Sequence, residues 1–177
     1  NSTLQMLQGA AVSQYSSSHG IDWSKNIPTS LLTSPLFHVS GLSAGAVTSL
    51  FVGSTTLMYD GRFMPEKVIA LMQKFSATSW GGAVPTALKR VLDEAESKQL
   101  KLKSLLVVGG GGAPMPPELI DRTGEVFPNS KYSFGYGYGL TESGAITIIN
   151  WGENLSSEPS SPGSTTVSYT HLRAHET

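Results

Sequence analysis

With 177 residues the chain can form one domain with a sizeable core and is too short for two ordinary ones. Its 12 Lys+Arg against 13 Asp+Glu give a formal charge of -1, which leaves no footprint for nucleic acid or an anionic membrane, and no apolar run approaches the ~20 residues that cross a bilayer. The lack of Cys excludes disulfides, thiolate metal sites and Cys nucleophiles in this stretch and suits a reducing compartment, so a cytoplasmic location is the expectation.

No initiator Met precedes Asn1, and a helix-like pattern is already under way, so the chain is expected to be an internal piece of a longer protein. Thr3 to Tyr15 places Leu4, Met6, Leu7, Ala10 and Ala11 near one helical face, and Ser16-Ser17-Ser18-His19-Gly20 breaks it into a loop through Pro28. Ser30 to Ser34 predicts a short buried strand closed by Pro35. A turn at Leu36 to Gly41 leads into a helix of apolar and small residues, Leu42 to Val52, and Ser54 to Tyr59 predicts a second strand. Pro65 opens a helix to about Phe75, with Glu66 and Lys74 placed to suit the helix dipole. Ala77 to Trp80 predicts a strand ending in Gly81-Gly82. Pro85 opens a helix to about Lys98 with Val84, Leu88, Val91 and Leu92 inward and Asp93, Glu94 and Glu96 solvated. Leu105 to Val108 is a wholly apolar strand of the kind covered on both faces, and it runs into Gly109-Gly110-Gly111-Gly112-Ala113-Pro114. Met115-Pro116-Pro117-Glu118 begins a further helix carrying Leu119, Ile120 and Val126. Lys131 to Tyr136 and Ala145 to Ile149 predict the last two strands. Asp60, Arg62, Asp121 and Arg122 are expected to be surface charges.

Strands alternating with helices of these lengths predict an α/β fold: a layered, mostly parallel sheet with helices on both faces and right-handed crossovers. Ligands of such sheets sit at the carboxyl ends of the strands. The loops at Phe37 to Gly41, Gly81 to Pro85, Gly109 to Pro114 and Gly137 to Glu142 each follow a predicted strand, so they should share one rim. After Asn150 a Ser/Pro-rich run, Ser156 to Ser164, predicts a surface loop or linker. The domain is taken as residues 1–164; residues 165–177 have no useful apolar period and resemble an out-of-frame or adapter-derived tail, so their two His are given no metal role.

The stretch Phe134-Gly135-Tyr136-Gly137-Tyr138-Gly139-Leu140-Thr141-Glu142 carries the most chemistry. Its glycines permit close approach, and Tyr136 or Tyr138 can stack on a base for ~1–3 kcal/mol. Thr141 can meet a phosphate oxygen, and Glu142 can hold Mg²⁺, a hard cation that takes carboxylate together with phosphate oxygens. The blander reading is a twisted strand end, with packed tyrosines and glycines marking a bulge.

Four segments in order, Pro35-Leu36-Phe37-His38-Val39-Ser40-Gly41, Val84-Pro85-Thr86, Gly111-Gly112-Ala113-Pro114-Met115 and Gly137-Tyr138-Gly139-Leu140-Thr141-Glu142, resemble the adenylate-forming (AMP-binding) superfamily, most closely its acyl-CoA synthetases. The resemblance covers about Asn1 to Ser164 and implies part of a large N-terminal domain that binds ATP and a carboxylic acid. It implies that Gly111, Gly112, Ala113 and Pro114 form the adenine loop, with Gly137, Tyr138 and Gly139 bringing the ring against the base. Thr141 would contact the α-phosphate, and Glu142 would be the Mg²⁺ ligand. His38 would stand beside the carboxylate and the thiol tunnel, and Trp80, Gly81 and Gly82 would line the acyl pocket. The implied reaction joins a medium- or long-chain acid to AMP and passes the acyl group to CoA. Positioning and neutralised charge carry such chemistry, so a metal ligand and fixed donors matter more than a protein nucleophile. ATP, Mg²⁺, CoA and the acid are the expected partners. An amino-acid adenylation domain, a luciferase-like enzyme and a non-catalytic nucleotide-binding fragment are the alternatives.

The family's phosphate loop, ribose-binding Asp, hinge and Lys-bearing small domain have no counterpart in these 177 residues. Two or three missing charge-assisted contacts at ~1.5–3 kcal/mol each would weaken ATP binding by roughly two to six powers of ten. The isolated chain is therefore expected to be inactive.

Overall fold

A computed structural model describes residues 28–165 except 52, 132, 143, 144, 159, 160 and 162. The predicted helix at Thr3 to Tyr15 and the tail after residue 165 lie outside the described residues.

Strand β1 (Thr29–Leu32) leads into α1, one continuous helix that is α-helical at Val39–Gly41, π-helical at Leu42–Val47 and α-helical again at Thr48–Phe51. Then come β2 (Thr55–Met58), α2 (Pro65–Lys74), β3 (Ser79–Ala83), α3 (Pro85–Ser97), β4 (Val107–Gly111) and α4 (Pro117–Val126). A 3₁₀ turn at Pro128–Ser130 precedes β5 (Phe134–Leu140), β6 (Ala145–Trp151), α5 (Gly152–Ser157) and β7 (Ser164–Thr165). Pro65, Pro85 and Pro117 each occupy the first helical position, where the missing N–H would be unpaired anyway and φ is already helical.

The sheet has the order β2-β1-β3-β4-β5-β6-β7. Strands β1 to β5 run parallel, while β6 and β7 are antiparallel additions at one edge. The winding moves one way for β2 and the other way from β3 onward. Right-handed crossovers therefore put α1 on one face and α2, α3 and α4 on the other. Contacts agree, since α2 packs on α3 and α3 on α4. Their inner faces repeat at helical spacing: Val68, Ile69 and Met72; Leu88, Val91, Leu92 and Ala95; Leu119, Thr123 and Val126. These close on Leu31, Trp80, Val108 and Phe134 from the sheet, which places the main core in this layer.

Three expectations need correction. The glycines of Gly81-Gly82 and Gly109-Gly110-Gly111 lie within β3 and β4, not in loops beyond them. Likewise β5 runs to Leu140, so only Thr141 and Glu142 of the Tyr138 segment stand in a turn. Ladder hydrogen bonding, indifferent to side chains, overrides glycine's weak strand preference here. The Ser156 to Ser164 run is not loop throughout, for α5 reaches Ser157 and β7 begins at Ser164, and the buried Asn150 ties the turn between them down by donating Nδ2 to the carbonyls of Glu158 and Ser161, each at 3.0 Å.

The surface charges are also more organised than expected. Arg122 of α4 donates Nε to Glu96 Oε1 at 2.9 Å, and Nη2 to Glu96 Oε2 and Asp93 Oδ1, each at 2.7 Å. Hydrogen bonds from Lys89 and Arg122 hold the Asp93 carboxyl below its usual range, and Arg122 does the same to Glu96. The two carboxylates in turn raise the Arg122 guanidinium. The group pins α3 to α4.

Candidate functional site

The carboxyl ends of β1, β3, β4 and β5 form one rim, and close backbone approach knits it together. Across β4 and β5, Gly111 pairs with Gly137, and a methyl group on Gly111 would sit 2.7 Å from the Gly137 carbonyl oxygen. One residue on, Gly112 turns with φ +79°, and a methyl group there would come within 3.3 Å of Val84 Cγ1. Gly82 has φ +70° and accepts a hydrogen bond at its carbonyl from Ser34 Oγ at 3.3 Å, which joins the end of β3 to the segment after β1. Both conformations are costly for any residue with a Cβ. Between β1 and β3 the winding reverses, the place where open α/β sheets leave a crevice.

Ala113 and Pro114 lie exposed just beyond this rim. The buried Met115 brings the loop back, since its Cε occupies the space that a Cβ on Gly110 would need. The expected adenine loop is therefore short, exposed at its tip and anchored at both ends.

On β5 the two candidate rings separate. Tyr136 is partly buried against the core, whereas Tyr138 is 49% exposed at the strand's outer end. Of the two, Tyr138 has a ring face free to meet a base. Thr141 and Glu142 follow in an exposed turn. The alternate glycines have a different reason from the torsional freedom expected of them, because none of Gly135, Gly137 and Gly139 has positive φ. Trp151 of β6 lies flat over Gly135, and Ile146 covers Gly137 with Cγ2 3.1 Å from where a Cβ would stand. Glycine here makes room for the neighbouring strand's large side chains.

His38 is exposed and caps α1. Its Nδ1 accepts from the Ser40 backbone N–H at 3.2 Å and lies 2.8 Å from Ser40 Oγ, which places the neutral ring's hydrogen on Nε2. The Pro35 carbonyl accepts from His38 N–H at 3.1 Å, and the helix packs so tightly on it that Gly41 has no room for a Cβ. The π-helical stretch behind His38 touches both β3 and β6. Such π turns recur at functional sites.

Trp80 departs from its expected place. Its side chain is fully buried in the core beneath α2 and α3, and Nε1 donates to Thr33 Oγ1 at 3.0 Å. It underpins the crevice instead of lining it, because strand alternation turns it toward the helices. Gly81 and Gly82 remain exposed on the rim. Sequence reasoning named Met115 and Arg122 without their roles in anchoring the loop and tying α3 to α4, and it missed the packing of Ile146 and Trp151 on the glycines of β5. A signal for the latter pair was available: a Gly-x-Gly-x-Gly strand beside an apolar strand calls for large partners.

Among the described residues no three His, Asp or Glu side chains gather to hold a metal, so Glu142 would offer a single carboxylate. Among them, too, no helix is long and apolar enough to cross a membrane.

Residues 4–175 match the model of the AMP-binding enzyme family, a span that continues past residue 164. The chain is 31% identical over 118 residues to 4-coumarate–CoA ligase 1 of Arabidopsis thaliana, covering 67% of this chain and 20% of that one. It is 37% identical over 120 residues to the probable CoA ligase CCL5 of Humulus lupulus, covering 67% and 21%. The fold superposes on o-succinylbenzoate CoA synthetase of Bacillus subtilis, solved with ATP and magnesium, at a TM-score of 0.68 and 27% identity over 89% of this chain and 31% of that one. The chain thus spans about a fifth of the length of the curated relatives it matches. With a family match along nearly its whole length, the chain belongs to the AMP-binding enzyme family.

Proposed function

We propose that this chain supplies the nucleotide-binding rim of a cytoplasmic, ATP-dependent acid–CoA ligase. The carrying observation is the meeting of Gly111 with Gly137 and of Gly112 with Val84 at the strand ends, with the exposed Tyr138 next along β5 and the exposed Thr141 and Glu142 in the turn that ends it. A Cβ at Gly111 would strike the Gly137 carbonyl and one at Gly112 would press on Val84, so glycine at both positions lets β5 and the loop after β4 come close together at the rim.

In this reading Tyr138 stacks on adenine while the loop at Ala113 and Pro114 borders its edge. The Thr141 hydroxyl would donate to an α-phosphate oxygen, and Glu142 would offer its carboxylate to Mg²⁺. Bound magnesium neutralises phosphate charge. His38, held by Ser40 with Nε2–H outward, lies near the carboxylate and the entering CoA thiol. No protein nucleophile is needed, because the substrate carboxylate attacks the α-phosphate and pyrophosphate leaves.

For the acid we propose a hydrophobic carboxylate, a medium- or long-chain aliphatic one, since no acidic side chain stands in Ser79–Ala83 or next to His38 to pair with a substrate amine. Curated relatives named as 4-coumarate–CoA ligases favour a second reading, a planar aromatic acid. A panel of aliphatic and aryl acids offered to the longer enzyme, with CoA-ester formation measured, separates the two. By itself the 177-residue chain is expected to catalyse no exchange of pyrophosphate into ATP. The nucleotide assignment is tested by titrating the longer enzyme with AMP and with Mg²⁺–ATP: Tyr138→Ala should weaken both, and Glu142→Gln the second only. Indifference to both substitutions would sink it.

A further inference from the structure

The β5–β6 hairpin carries a bend at the edge of this rim. From Gly135↔Trp151 to Tyr138↔Ile148 the strands pair residue for residue, and pairing resumes at Gly139↔Ile146, so Thr147 is the extra residue of a β-bulge. Its hydroxyl donates to the Tyr138 carbonyl at 3.2 Å. The slip of one residue turns Ile146 to the glycine face, where it covers Gly137. It also sets the last pairings, Gly139↔Ile146 and Leu140↔Ala145, from which the turn at Thr141 and Glu142 springs.

Burial does not hold this end of the strand, for Tyr138, Gly139, Leu140, Thr141 and Glu142 are all exposed. Its aim depends on the ladder and on what fixes the ladder's slip. We propose that Thr147 is a positioning residue. By gripping the Tyr138 carbonyl at the bulge, it sets the angle between the ring that meets the base and the turn that meets phosphate and magnesium. Thr147 touches no ligand itself, and the inference rests on the assignment of Tyr138 to Glu142 as the nucleotide segment.

The hydroxyl, not the shape, carries the effect, so Thr147→Val and Thr147→Ser make the test on the whole chain. Amide hydrogen exchange over Gly139 to Glu142 should rise about threefold to tenfold in Thr147→Val, the loss of one hydrogen bond. Thr147→Ser should stay near wild type, and the exchange of the α2, α3 and α4 amides should not change in either. AMP titration should show the same order, with affinity lower in Thr147→Val and restored in Thr147→Ser. Unchanged exchange at Gly139 to Glu142 in Thr147→Val overturns the positioning role. So does a uniform rise in exchange throughout the chain, which marks a merely structural residue. If exchange responds as stated but wild type takes up no AMP at millimolar concentration, the positioning geometry stands and the nucleotide assignment is what fails.

Discussion

Replacing Gly135 by Ala tests the packing account of the glycine strand. On an exposed, unhindered strand this change would be neutral or stabilising by about 0.4–1 kcal/mol, because Ala restricts the unfolded chain. At this position the added methyl would lie 1.9 Å from Trp151 Cε3, against the 3.4–4 Å of ordinary contact, so the ring must retreat by roughly 1.5–2 Å. Trp151 is 7% exposed and stands directly opposite on the paired strand, so it has no cheap way back. Overpacking of this kind costs about 1–3 kcal/mol, which outweighs the entropic gain and decides the sign. Trp151→Ala alone should cost about 3–5 kcal/mol through the void it leaves. In the double variant the new methyl enters that void, so its loss should fall short of the sum of the two single losses by about 1–3 kcal/mol. Urea unfolding of the four proteins measures this directly. A stabilised Gly135→Ala, or strict additivity with Trp151→Ala, would refute the reasoning.

Other consequences can be measured alongside. Gly112→Ala, placed at φ +79° and against Val84, should weaken AMP binding at least tenfold, read by calorimetric titration, and should also lower the unfolding midpoint, because the left-handed turn opposes a Cβ. Tyr138→Ala should cost about 1–3 kcal/mol of AMP affinity by equilibrium dialysis, and Tyr136→Ala should cost folding stability instead, because only the second ring packs on the core. Arg122→Gln should lower stability by about 1 kcal/mol at neutral pH, near the upper end for exposed pairs because the contact to Glu96 is bidentate. The pH sign follows from the carboxyls. Asp93 and Glu96 are depressed in the fold below their ordinary 3.8 and 4.5, so their contribution is complete above those values and is lost as pH falls through the lower folded ones. The gap between wild type and Arg122→Gln should therefore close in acid, and a gap that widens there would contradict it.

Much of the architecture was legible because three prolines announce three helices and apolar spacing marks their inner faces. The shared rim followed from topology, since each motif lies at or just beyond the carboxyl end of a parallel strand. Glycine misled where it lies in a strand. Gly109 to Gly111 and Gly137 to Gly139 read as loops because intrinsic preference disfavours them in sheets, yet the need for close strand approach and for Trp151 and Ile146 to lie flat overrode that preference. Trp80 misled for another reason: the family resemblance implied a pocket wall, and strand alternation turned the ring into the core. The clasp of Arg122 on Asp93 and Glu96 joins two helices, and no periodicity within one helix could reveal it.

The packing and functional readings of Phe134 to Glu142 are not rivals. A strand can hold a ring at the outer edge of a sheet only if its own far face is fixed, and side chains alternate, so the residues between the rings decide how firmly. With glycine at 135 and 137, Trp151 and Ile146 lie directly on the backbone and clamp it from the α1 side. Tyr136 then anchors the opposite side in the core, and Tyr138, one step further out, is left rigidly based and 49% exposed. Larger residues at the glycine positions would push β6 away and loosen the base on which Tyr138 stands. In the proposed reading, a base stacking on Tyr138 would meet a ring carried on backbone already ordered by folding, the usual route by which a preorganised site gains affinity without additional contacts.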